Sequence, residues 1–138
     1  MKNTSGYSTT PLARKLGLKT GHNFLLVDEP SHYRELFTDW PEGLAPVTNT
    51  DPESVDFIHL FTKEQAVLQN QLAELKPLLR KNGLLWISWP KGKSKIETDL
   101  NRELIREMGL SAGLVDVKVC AIDEDWSGLK FVYRVKDR

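Results

Sequence analysis

Residues 55–89 read VDFIHLFTKEQAVLQNQLAELKPLLRKNGLLWISW. Two apolar runs, Val55 to Phe61 and Leu84 to Trp89, bracket a segment of different period. Each run has the length and the aromatic and β-branched content of a buried strand. Between them Leu68, Leu72, Leu75 and Leu79 fall at i, i+4, i+7 and i+11, the single apolar face of a helix. Thr62 with Gln65 three residues on reads as a capping box, which satisfies two orphan backbone donors. The spacing predicts a helix from Lys63 to about Arg80, loosened at Pro77 and ended by Asn82-Gly83. Runs that are apolar at nearly every position belong to strands covered on both faces.

Toward the N-terminus, Asn23 to Val27 is a further buried strand. Pro11 opens a short helix through Leu16, with Thr10 as its N-cap and Gly17 as its stop. Ser31 caps a helix to about Phe37, which Trp40-Pro41-Glu42-Gly43 breaks. Residues 45–48 form a short strand, and Asn49 to Ser54 a loop. Toward the C-terminus, Pro90 to Lys95 is a loop. Thr98 or Asp99 caps a helix with Leu100, Leu104, Ile105, Met108 and Ala112 on one side and Gly113 at its end. Val115 to Ile122 and Leu129 to Val135 are strands joined by the loop DEDWSG, so they pair antiparallel. Alternating strands and helices imply parallel pairing with helices on both faces. The expected fold class is α/β: one Rossmann-like domain over residues 1–138, with a mostly parallel five- to six-stranded sheet and a C-terminal antiparallel strand pair. Residues 1–22 form an arm and a short helix, and residues 23–138 the core.

Composition narrows the function classes. Of the 138 residues, 40% are hydrophobic and 28% charged, the balance of a globular domain. No apolar stretch approaches the ~20 residues that span a bilayer, so no membrane partner is expected. The one cysteine, Cys120, cannot form an internal disulfide, which with the polar N-terminus argues for the cytoplasm. Lys and Arg balance Asp and Glu at 19 each, and no recognised motif is present, which argues against nucleic acid. Charge is nevertheless uneven. Asp28 to Asp56 holds eight acidic residues and one basic, whereas Lys76 to Lys95 holds six basic residues and none acidic.

The terminal strand pair and the segment LLRKNGLLWIS (Leu78 to Ser88) resemble the class I S-adenosylmethionine-dependent methyltransferases, in a form short of one strand and its helix. GYSTTPLARKLGL, WISWPKGKSK and LVDVKVCAIDEDWSGLKFV are similar to a small bacterial family of unknown function, which brings no activity with it. The methyltransferase resemblance implies a cofactor site beyond the carboxyl ends of the strands. There the family has a glycine-rich loop after its first strand. This chain has Asp28-Glu29-Pro30-Ser31-His32-Tyr33, without a glycine. Under the resemblance Asp51 is the residue that would hold the ribose.

The missing glycines lead to an expectation of no cofactor and of a non-catalytic module that binds a small anionic ligand or a protein. The alternative is a divergent S-adenosylmethionine-dependent methyltransferase acting on a small molecule. The candidate ligand site is Asp28, Glu29, His59, Thr62, Ser88, Trp89, Lys91 and Lys93. Lys91 and Lys93 would meet an anion as point charges, although His59 also reads as a buried structural residue. No catalytic residue is assigned. His22, His32 and His59 lack metal-ligand spacing, so no metal is expected. A monomer or homodimer fits, and a protein partner would use the arm (Gly6, Tyr7, Ser8) and an exposed edge at Leu129 to Val135. Trp86 and Trp89, an odd distance apart on one strand, should face opposite sides.

Overall fold

The structure is a computed structural model that describes residues 10–138. The arm residues Gly6, Tyr7 and Ser8 lie outside that range. The strands are β1 (Asn23–Val27), β2 (Ala45–Pro46), β3 (Val55–Phe61), β4 (Leu79–Pro90), β5 (Leu114–Ala121) and β6 (Trp126–Tyr133). The helices are α1 (Leu12–Leu16), α2 (Gln65–Leu75) and α3 (Arg102–Ser111). One six-stranded sheet has the order β2-β1-β3-β4-β6-β5. The first four of these are parallel, and β6 joins β4 and β5 antiparallel. This is the expected Rossmann-like α/β sheet with its terminal antiparallel pair. The outer edge on that side is β5; β6, whose residues 129–133 were expected at the edge, is an inner strand.

The two sheet faces bury different chemistry. Under α2 and α3 lies an aliphatic layer including Ile58, Leu60, Leu68, Leu85, Ile87 and Ile105. On the other face α1 packs on Phe57, Phe61, Trp86, Tyr33 and Phe37. Trp89 joins the first layer and Trp86 the second, as the strand period requires. The Trp86 indole N–H donates to the Leu16 carbonyl at 2.7 Å, satisfying one orphan acceptor at the end of α1.

Several element boundaries differ from the expectation. The helix predicted to Arg80 stops at Leu75, with a 3-10 turn over Lys76–Leu78 around Pro77. β4 then starts at Leu79, and Asn82-Gly83 lies within it. The ladder shifts between Val55 and Phe57, and Arg80 Nε pairs with the Asp56 carboxylate at 3.2 Å. A Cβ on Gly83 would press on the carbonyls of Arg80 and Asp56 at 3.0 and 3.1 Å, so glycine here serves close backbone approach rather than a turn. The segment after Ser31 makes only a 3-10 turn, Tyr33–Leu36, because its task is to sink Tyr33 and Phe37 into the aromatic layer.

Helix capping also departs from the local reading. The amides of Ala13 and Arg14 donate to the Asp39 carboxylate at 3.0 and 3.1 Å, the role expected of Thr10. The Gln65 amide donates to Asp99 Oδ1 at 2.8 Å, in place of the Thr62 capping box. Asn101, rather than Thr98 or Asp99, caps α3, its side chain accepting from the Leu104 amide at 2.9 Å.

Candidate functional site

The carboxyl ends of β1 and β3 open on a cavity of about 430 Å³, whose walls include Asp28, Phe61, Thr62, Val67, Ile96 and Trp126. Three loops meet there: the exit of β1, the segment 91–101 after β4, and the β5–β6 connection. The second is fastened by Ser94 Oγ donating to Asp125 Oδ1 at 2.8 Å and Thr98 Oγ1 donating to the Lys63 carbonyl at 2.6 Å. The third is held by Asp123 Oδ1, which accepts from the amides of Asp125 and Trp126. His32 Nε2 lies 3.0 Å from Asp123 Oδ2 and ties the first loop to the third. Trp126 stands edge-on to Phe61 at 5.0 Å.

Asp28 leaves β1 with φ of +55°, the left-handed conformation that glycine normally supplies. Aspartate is one of the few other residues that adopts it readily. The sharp turn therefore exists without a glycine. Gln71 on α2 donates through Nε2 to Asp28 Oδ2 at 3.1 Å.

Two buried oxygens here lack a partner. Thr62 is only 5% exposed, and its Oγ1 has no hydrogen-bond partner among the described residues. Gln71 Oε1 is in the same state. A buried polar atom left unpaired costs ~1–3 kcal/mol, and native structures hold few of them. Both oxygens belong to residues that line the cavity or bind its Asp28.

The structure brings only some of the sequence-derived residues together. Asp28 and Thr62 share the cavity wall. Glu29 lines a neighbouring hollow of about 270 Å³ with Tyr33, Arg34 and Trp40. His59 and Ser88 are fully buried. Tyr33 Oη lies 2.9 Å from His59 Nδ1, and His59 Nε2 lies 2.8 Å from Ser88 Oγ. Burial holds the His59 pKa down to about 3, so the ring is neutral and presents one donor and one acceptor. Burial, with a smaller contribution from Glu29, pushes the Tyr33 hydroxyl above its ordinary value. This row of three is a buried brace under the loop that carries Asp28.

Trp89 belongs to the aliphatic layer on the opposite face. Lys91 and Lys93 stand on the loop after β4. The Lys91 amide donates to the Asp125 carbonyl at 2.8 Å. Burial and the neighbouring Lys93 lower the Lys91 ammonium pKa, against the pull of Asp123, Asp125 and Glu124. Asp51 lies in the exposed loop after β2, its amide donating to Asn49 Oδ1 at 2.9 Å, and is not among the residues that line the cavity. Gln71 and Ile96 had no signal in the sequence: one reads as a polar helix position, the other as part of a Lys-rich loop. No three His, Cys, Asp or Glu side chains among the described residues are grouped to hold a metal ion. No helix among them is long and apolar enough to cross a membrane.

A parallel sheet closed by an antiparallel pair, with its cavity at the carboxyl edge, defines a reduced class I methyltransferase-like fold. Solved structures agree. A SAM-dependent methyltransferase from Aquifex aeolicus superimposes with a TM-score of 0.57 at 14% identity, over 87% of this chain and 86% of that one. A chain of the complex of the Haloferax volcanii Trm112 methyltransferase activator gives 0.62 at 14% identity, over 87% and 85%. Burkholderia thailandensis 1,6-didemethyltoxoflavin-N1-methyltransferase, with S-adenosylhomocysteine bound, gives 0.54 at 15% identity, over 87% and 73%. No protein-family model and no curated protein matches the sequence. At such identities the likeness is one of fold.

The expectation of no cofactor is corrected by these neighbours, which include a SAM-dependent methyltransferase and a methyltransferase holding S-adenosylhomocysteine. It had rested on the missing glycines, and Asp28 makes that turn without them.

Proposed function

We propose that this chain is a divergent S-adenosylmethionine-dependent methyltransferase acting on a small molecule, with its cofactor site in the cavity beside Asp28 and Thr62. The observation that carries the reading is the buried Thr62 hydroxyl, unpartnered at the wall of that cavity. Gln71 Oε1 next to Asp28 supports it. Asp28 and Gln71 offer acceptors, so they suit the hydroxyls or ammonium of an amino-acid nucleoside. The Thr62 hydroxyl can donate or accept. Val67, Ile96 and Trp126 supply the apolar surface that excludes water from a bound nucleoside.

The cofactor, when bound, supplies an electrophilic methyl group. The chain's part is to orient and enclose. Asp28 and Glu64 are the carboxylates at the wall, available to take a proton from an oxygen or nitrogen nucleophile. The braced loops at 91–101 and 123–126 hold the enclosing side chains.

Calorimetric titration of the full chain with S-adenosylmethionine and S-adenosylhomocysteine tests this. Saturable binding of either, raising the melting temperature as any ligand of the folded state must, supports it. Thr62→Val keeps the shape and removes the oxygen that would bind. We expect it to weaken binding by roughly tenfold, the equivalent of ~1.4 kcal/mol, without lowering stability, because the deleted hydroxyl has no partner to lose. Absence of binding by both compounds at millimolar concentration overturns the proposal.

A further inference from the structure

A second feature lies on the aromatic face, away from the cavity. Lys118 of β5 and Lys130 of β6 stand directly opposite each other in the antiparallel register. Like charges so placed repel. Lys15, in the last turn of α1, and Lys19 just beyond it bring two more ammonium groups to this region. Lys118 Nζ donates to the Lys15 carbonyl at 3.2 Å, and Lys15 Nζ donates to the Ala121 carbonyl at 3.3 Å. These bonds give Lys15 and Lys118 a structural role, the latter at the negative end of α1.

Lys130 has no such role. It is half-buried, with its Nζ 5.9 Å above the Trp86 ring. No hydrogen bond or ion pair to its Nζ is found among the described residues. Burial, then Lys118, with Lys19 adding to it, pushes its pKa below the ordinary lysine value, against a pull from Cys120. Burial raises the pKa of the half-buried Cys120 thiol, against the opposing pull of Lys15, Lys118 and Lys130. Asp123, Asp56 and Asp116 pair with His32, Arg80 and Arg106, and none of these pairs involves this group. A partly desolvated ammonium among like charges, without a carboxylate, is unfavourable in the protein alone.

We propose that Lys15, Lys19, Lys118 and Lys130 form a binding site for the phosphate group of a small ligand, centred on Lys130 and Cys120. Phosphate suits the arrangement. It carries close to two negative charges and three strong acceptor oxygens, and lysines meet it as separate point charges. A single carboxylate would leave most of the cluster uncompensated. The basic group is compact. It comprises four lysines at one end of the β5–β6 pair, whereas a nucleic-acid strand needs a basic track across several phosphates. The site does not depend on the methyltransferase reading, since none of its lysines lines the cavity at the carboxyl edge.

The experiment is titration of the full chain with pyrophosphate at low ionic strength, followed by calorimetry and by backbone amide NMR shifts. Saturable binding should move the signals of Lys19, Lys118, Cys120 and Lys130. Lys130→Met keeps the apolar stem on Trp86 and removes the charge. It should weaken binding by roughly tenfold or more, as loss of a charged hydrogen bond does, while leaving the melting temperature unchanged or raised. Lys19→Gln, at an exposed position, should weaken binding in the same direction and serves even if the first variant folds poorly. S-adenosylmethionine binding should be the same in both variants and the wild type. Absence of saturable pyrophosphate binding, or shifts confined to other residues, overturns the proposal. Tighter binding of a single-stranded RNA than of pyrophosphate at equal phosphate concentration, at the same signals, overturns the small-ligand assignment.

Discussion

The two faces of the sheet are stabilised by different means. Under α2 and α3 the layer is mainly aliphatic, with Trp89, Phe131 and Tyr133 set among leucines and isoleucines, and the Tyr133 hydroxyl donates to the Lys76 carbonyl at 2.9 Å. Under α1 the layer is aromatic and is threaded by hydrogen bonds: Trp86 to Leu16, and the row Tyr33–His59–Ser88. An aliphatic layer tolerates exchange of one branched side chain for another of equal volume. A layer built on directional bonds does not, because each deleted partner strands another. The less tolerant face also carries the loop that presents Asp28. The part of the core nearest the proposed cofactor site is therefore the part most narrowly specified.

The strongest challenge to this contrast is at Trp86. Trp86→Ala should cost ~3–5 kcal/mol, the usual price of deleting a buried aromatic, read as a shift in the urea midpoint. Trp86→Phe should still cost ~1–3 kcal/mol, because the Leu16 carbonyl loses its donor. A phenylalanine variant as stable as the wild type would show that the bond contributes nothing.

Next comes a matched pair, one residue from each face. His59→Leu should cost about 3 kcal/mol by leaving the Tyr33 and Ser88 hydroxyls buried and unpaired. Ile87→Leu, equally buried in the aliphatic layer, should cost under about 1.5 kcal/mol. Equal losses in the two denaturation curves would erase the distinction between the faces.

A third test is graded by pH, and its effect is small near neutrality. The folded His59 pKa of about 3 lies below its ordinary value of 6.5. Below pH 6.5 the unfolded chain takes up a proton that the folded chain refuses, so unfolding becomes easier. Stability should fall by about 1.4 kcal/mol per pH unit from this group as pH drops from 6.5 toward 3. Above pH 6.5 the contribution is flat. In His59→Gln that part of the acid slope should vanish, and an unchanged slope would place the titration elsewhere.

Much of the sheet was legible because its signals are local. Val55 to Phe61 and Leu84 to Trp89 state their burial in every residue, and the spacing of Trp86 and Trp89 states their opposite sides. Capping was not legible because it is not local. Asp39 caps α1, and Asp99 caps α2, each from a distant segment. The Thr62–Gln65 pair matches a capping box in spelling only, and the hydroxyl it seemed to employ is buried without a partner among the described residues. The edge strand was misplaced because the pairing of a hairpin does not say which of its strands joins the sheet. The turn at Asp28 was misread by treating glycine as the only residue able to make it.

The tie between Leu16 and Trp86 has a kinetic consequence. Seventy residues separate the two partners, and Lys118, which also meets the end of α1, comes later still. During synthesis the first helix leaves the ribosome long before its docking surface exists. Contacts so distant in sequence form slowly, so the nascent chain must carry that helix undocked until the central strand and the hairpin have emerged.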